Sequence, residues 1–112
     1  MDSQITIQLT EIVGSTYCVA SEDGMLVFQQ IAKALTDGYQ VEISFLNVES
    51  LTSAFLNTAI GQLYGSFPEE LLSKSLSVSN IQADDLNLLK RVIETAKLYF
   101  SRPEILTVPG NT

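Results

Sequence analysis

Between two stretches of helical spacing the chain switches to strict alternation: Val41, Ile43 and Phe45 are apolar, while Gln40, Glu42 and Ser44 are polar. A period of two marks a strand with one strongly apolar face. A strand enclosed by helical patterns is reached and left through crossovers, so the chain is drawn toward a βαβ arrangement with right-handed parallel connections. Upstream, Met25, Phe28, Ile31, Ala32 and Leu35 form a helical stripe. Ser21 is its candidate N-cap, Glu22 and Asp23 suit the positive end of its dipole, and Gly38 stands where a C′ glycine ends a helix. Downstream, residues 47–51 form a short loop carrying Val48. Thr52 or Ser53 then caps a second helix, whose apolar face is Phe55, Leu56, Ala59, Ile60 and Leu63 and which Gly65 and Pro68 close.

The flanks complete the order. Ile5, Ile7 and Leu9 alternate with Thr6, Gln8 and Thr10 as a first strand that Ile12 extends. Gly14, Ser15 and Thr16 supply a turn, after which residues 17–20 return as a second strand. Residues 69–72 make one further helical turn, Leu76 and Val78 mark another strand, and Leu86, Leu89, Ile93, Ala96 and Phe100 stripe a long helix over residues 83–101 that Pro103 stops. The sequence therefore predicts a single α/β domain over residues 1–102. It consists of a mixed sheet packed by about three main helices, followed by a frayed tail at 103–112.

The functional content lies first in what is missing. The 112 residues include no histidine, which removes a Ser-His-Asp triad, a Cys-His pair and every imidazole metal site. Neither a Walker-type nor a dinucleotide-binding glycine loop occurs. Gly61 and Gly65 are four apart, and the expected use of Gly61 is close packing of helix on sheet. The acidic pairs Glu22-Asp23, Glu69-Glu70 and Asp84-Asp85 each fall at a helix start, where carboxylates are stabilised by the dipole. No cofactor or metal site is expected, and the tyrosines at 17, 39, 64 and 99 read as packing residues.

Six basic against thirteen acidic residues give a net charge of −7, a field that repels nucleic acid. The nearest approach to a basic patch, Lys90, Arg91 and Lys97, shares its helix with Asp84, Asp85 and Glu94. No apolar run is long enough for a membrane span and no basic segment opens the chain, so a cytoplasmic protein is expected. The lone Cys18 has no cation near it in sequence and reads as a small buried hydrophobe rather than a reactive thiol.

Residues 41–61, VEISFLNVESLTSAFLNTAIG, resemble the centre of the STAS-like domain proteins, a bacterial and phage-associated family. The shared pattern is an extended strand, a loop, then Ser-Ala-Phe-Leu leading into a helix with Ala-Ile-Gly. Residues 86–100 are similar to that family's final helix, so the resemblance spans residues 25–100. It implies the STAS-like α/β fold. Those proteins in turn resemble the STAS domains of anti-sigma factor antagonists, in which a serine at this place is phosphorylated by a partner kinase and switches binding. Ser53 matches that serine; Thr52 replaces the preceding acidic residue, and Ala54 and Phe55 replace the following Ser-Gly.

The resemblance implies a non-enzymatic regulatory module that binds a protein partner, a kinase-like ATPase, through Thr52, Ser53, Ala54 and Phe55, with Ser53 as the modified residue. Independently of it, a serine at a helix start lies beside unpaired backbone N–H groups that would hold a phosphate. The alternatives are a metal-dependent enzyme built on the acidic residues and a structural subunit of a homo-oligomer. For the fold, Phe45→Ala is expected to cost about 3–5 kcal/mol in urea denaturation if the ring is core. A loss below about 1 kcal/mol would place it outside the core.

Overall fold

The computed structural model describes residues 3–101. In chain order the elements are β1 (Gln4–Gln8), α1 (Leu9–Val13), β2 (Tyr17–Cys18), α2 (Ser21–Thr36), β3 (Gln40–Ser44) and β4 (Ser50–Leu51). There follow α3 (Ser53–Leu56), a π-helical turn (Asn57–Gly61), α4 (Leu63–Ser66), α5 (Glu69–Ser75), β5 (Leu76–Ser79) and α6 (Ala83–Ser101). The expected frayed tail lies outside the described residues, as does Pro103.

β3 is the central strand, with β1 on one side and β5 on the other, and both pairings are parallel. The register sets Ile7 opposite Ile43 and Ile43 opposite Val78, so one face of the sheet is apolar across its width. Val41, Ile43 and Phe45 are all buried, as the alternation predicts. On the other face Gln4 and Thr6 donate to Glu42 Oε1 at 3.1 and 3.4 Å, which is why the strands alternate instead of being apolar throughout.

The α/β class stands, but among the described residues every strand pairing is parallel where the sequence predicts a mixed sheet. The difference arises just after β1. Leu9 fits both an alternating and a helical period, whereas Ile12 and Val13 follow it at helical spacing. The chain therefore winds into α1, ended by Gly14 at φ 78°, and the strand does not continue to Ile12. Residues 17 and 18 are thereby carried away from β1. They pair instead with β4 in a separate parallel ladder, Tyr17 opposite Ser50 and Cys18 opposite Leu51.

α2 ends as read, with Gly38 at φ 90°. The Gly38 N–H donates to Leu35 O and the Tyr39 N–H to Ala34 O, both at 3.0 Å, closing the last turn as a glycine-dependent cap. Its start and its buried face differ from the reading. Ser21 is the first helical residue and Ala20 occupies the cap position without a side-chain bond. The buried stripe is Gly24, Val27, Ile31, Ala34 and Leu35, and Met25 is exposed. Gly24 explains the rotation: a Cβ there would lie 2.6 Å from Phe55 O and 3.1 Å from Thr58 Cβ. The helix turns its bare backbone toward α3, a contact that no count of apolar side chains reveals.

Residues 53–66 bury the expected face, with Phe55, Leu56, Ala59 and Leu63 inaccessible and Ile60 nearly so. The π turn is closed by Gln62 N–H donating to Asn57 O at 3.0 Å, five residues back. Gly61 faces α6, not the sheet: a Cβ there would meet Ala96 Cβ and Val92 Cγ1 at 3.7 Å, ordinary contact. α6 begins where predicted, runs to the last described residue, Ser101, and buries Leu89, Val92 and Ala96, with Leu86, Ile93 and Phe100 half-buried.

Gly24 and Gly61 should therefore respond with opposite signs. Gly24→Ala is expected to lower stability by about 1–3 kcal/mol, because the neighbour is backbone and cannot yield. Gly61→Ala is expected to leave stability unchanged or raise it by up to about 1 kcal/mol through helix propensity. Urea midpoints of both variants against the parent measure this, and equal losses at both sites would refute the packing described.

Candidate functional site

The segment that precedes residue 53 is held along residues 16–19. Thr52 N–H donates to Cys18 O at 3.2 Å, extending the β2–β4 ladder, and Glu49 N–H donates to Thr16 O at 2.8 Å. The Thr52 hydroxyl donates to Val19 O at 2.7 Å and accepts from the Phe55 N–H at 3.2 Å. Thr52 has extended backbone geometry and is the N-cap, so one hydroxyl both ties the loop to the residue leading into α2 and satisfies a free N–H of α3.

Because Thr52 caps, Ser53 does not. Ser53 is the exposed first helical residue, and its hydroxyl takes part in none of the hydrogen bonds among the described residues. Ala54 beside it is exposed as well. Phe55 is fully buried, so its ring anchors the segment and is not presented to a partner. Of the four residues singled out in the sequence, Thr52, Ser53 and Ala54 form surface.

Ser53 also opens onto a groove between residues 53–66 and α6. One cavity of about 310 Å³ is lined by Ser53, Asn57, Leu88, Arg91, Val92 and Thr95. A second of about 310 Å³ shares Asn57 and Thr95 with it and continues past Gly61 to Tyr99 and Phe100. The first end mixes polar and apolar side chains and carries the cation Arg91; the second is more apolar and aromatic. The π turn lies midway along one wall, where Asn57 Oδ1 is 3.8 Å from the Cβ position of Gly61.

The basic residues of α6 serve different ends. Lys97 Nζ pairs with Glu69 Oε2 at 3.1 Å and stands 6.0 Å from the centre of the Tyr64 ring. The Tyr64 hydroxyl is pushed up by burial, an effect that Lys97 opposes and Glu69 reinforces. Arg91 forms no ion pair among the described residues and faces the cavity beside Ser53. Asn57, Arg91 and Thr95 escape sequence reasoning because the groove joins helices distant in the chain. The available signal is spacing: Ser53, Asn57 and Gly61 recur every four residues as a polar or small stripe beside the apolar face, next to a second such stripe at Thr58, Gln62 and Ser66.

The remaining sequence candidates are located as well. Cys18 is inaccessible, and its thiol is pushed up to about 11, first by burial and then by the charge of Asp23. It stays a neutral thiol at ordinary pH. The three acidic pairs lie in the first turns of α2, α5 and α6. Among the described residues no three His, Cys, Asp or Glu side chains converge in a group that could hold a metal ion, and no helix is long and apolar enough to cross a membrane.

A family model described as a STAS-like domain of unknown function (DUF4325) matches residues 23–86. The chain belongs to this STAS-like family. Neither a curated protein nor a solved structure matches it. The STAS-like match runs from the first turn of α2 to the first turn of α6, so it contains Thr52, Ser53, Asn57 and Gly61 and stops short of Arg91 and Thr95. The matched stretch thus supplies one wall of the groove, and the part of α6 that follows it supplies the other.

The division of labour at the helix start has a direct test in thermal and urea unfolding. Thr52→Ala is expected to cost about 0.5–2 kcal/mol as the cap is lost, while Ser53→Ala stays within about 0.5 kcal/mol of the parent. The reverse order would make Ser53 the cap.

Proposed function

We propose that this STAS-like domain is a non-enzymatic regulatory module that binds a protein partner at Thr52, Ser53, Ala54 and the adjoining groove, and that phosphorylation of Ser53 by a kinase-like ATPase switches the binding. The observation that carries the reading is the exposed Ser53 hydroxyl, without a hydrogen bond among the described residues, at a helix start already capped by Thr52. A capping serine would have to give up its hydrogen bond to react; this one has none to give up.

The transfer balances with ATP as co-reactant. Ser53 Oγ attacks the γ-phosphorus, the bond from that phosphorus to the bridging oxygen of the β-phosphate breaks, ADP leaves, and the hydroxyl proton passes to a base of the partner. The product carries close to two negative charges where a neutral hydroxyl stood. Such a change alters a docking surface without altering the fold, because Phe55, Leu56 and Ala59 remain in the core whatever Ser53 carries. A cytoplasmic setting, where ATP is abundant and a lone cysteine stays reduced, suits this role.

Peptide mass spectrometry of the protein purified from its own host tests the reading. A single phosphate is expected on residue 53, absent from Ser53→Ala. Ser53→Asp is expected to fold as the parent does and to bind the partner with altered affinity. Absence of the phosphate, or its presence only at other residues, would overturn the switch.

A further inference from the structure

We infer that Arg91 is the group that holds a phosphate carried by Ser53, clamping it across the groove between residues 53–66 and α6. The inference rests on Ser53 being the modified residue and adds a site on a different helix, beyond the stretch that matches the family. Ser53 and Arg91 line the same cavity of about 310 Å³, together with Asn57 and Thr95. A phosphate on Ser53 would therefore stand at a cavity that an arginine, an asparagine and a threonine also line, residues whose side chains can donate to its oxygens.

Charge makes the assignment selective. The chain carries a net charge of −7, so a dianion on its surface needs a local cation. Among the described residues, Lys33 is paired with Asp37 and Lys97 with Glu69, and Lys74 sits in the last turn of α5. Lys90 and Glu94 flank Arg91 on α6, yet neither lines the cavity. Arg91 is the single charged residue in that lining. Its planar fork of donors suits two oxygens of one phosphate, which a lysine in the same place would meet only as a point charge.

The clamp has a structural consequence. It ties the first turn of α3 to the middle of α6 and fills the cationic end of the groove, while the end at Tyr99 and Phe100 stays open. Modification would then change the shape available to a partner as well as its charge.

The test needs no kinase. Phosphoserine is placed at position 53 during synthesis, and the second ionisation of the phosphate is followed by phosphorus NMR against pH in the parent, Arg91→Gln, Arg91→Lys and Lys90→Gln. Arg91→Gln is expected to raise the midpoint by about half a unit to one unit. Arg91→Lys should recover part of that shift, and Lys90→Gln should leave the midpoint in place. Matching far-UV spectra and melting temperatures of the unmodified forms check folding. Equal midpoints in the parent and Arg91→Gln would overturn the clamp, as would a Lys90→Gln shift as large as that of Arg91→Gln, which would signal a diffuse field. These outcomes are independent of whether the host phosphorylates Ser53, so the clamp and the switch fail separately.

Discussion

The contact between α2 and the start of α3 is the constraint on which the rest depends. With no side chain at Gly24, α2 approaches until its backbone faces Phe55 O, a position that any Cβ would obstruct. That approach lets Phe55, Leu56 and Ala59 pack in the same core as Val27 and Ile31. It also brings Val19, which precedes α2, within reach of the Thr52 hydroxyl. The same glycine thus serves packing and the geometry of the helix start, and the exposed state of Ser53 follows from both.

Parallel pairing explains where the site lies. In a parallel sheet all strands deliver their C-terminal ends to one edge, and the loops leaving those ends gather there. Here the minor ladder of β2 and β4 acts in the same way, because Thr52 follows β4 directly and bonds back to Cys18, the last residue of β2, and to Val19 just beyond it. The result is a helix start set by backbone pairing on one side and by core packing on the other. The proposed switch would need such a mount, since an added charge must act on a partner instead of loosening its own support.

Much of the fold was legible because single periods dominate its central elements. β3 alternates without exception, residues 53–66 carry an unbroken apolar face, and α6 shows both its start and its stripe. Legibility failed where a residue satisfied two patterns or contributed by having no side chain. Leu9 belongs to both a strand and a helix period, and only the later Ile12 and Val13 favour α1. Gly24 adds nothing to an apolar count, so the sequence stripe of α2 shares Ile31 and Leu35 with the buried face but includes the exposed Met25 and omits Gly24, Val27 and Ala34, and the sequence points to Gly61 for a close approach that Gly24 makes. Thr52 and Ser53 are chemically equivalent caps in a sequence; the bond to Val19 O, from a residue far back in the chain, separates them. The groove was illegible for the same reason, since Asn57 and Arg91 meet only when two distant helices pack.

The central claim is that the helix start presenting Ser53 is already formed in the free domain and does not await a partner. Amide hydrogen exchange of the unbound protein, followed by NMR, tests it at the Phe55 N–H, whose acceptor is the Thr52 hydroxyl. The account predicts protection approaching that of the Val41 and Ile43 amides in the central strand. Exchange of the Phe55 amide at the rate of an unprotected loop would contradict it, because the cap would then be open for most of the time and Ser53 would have no fixed place to stand.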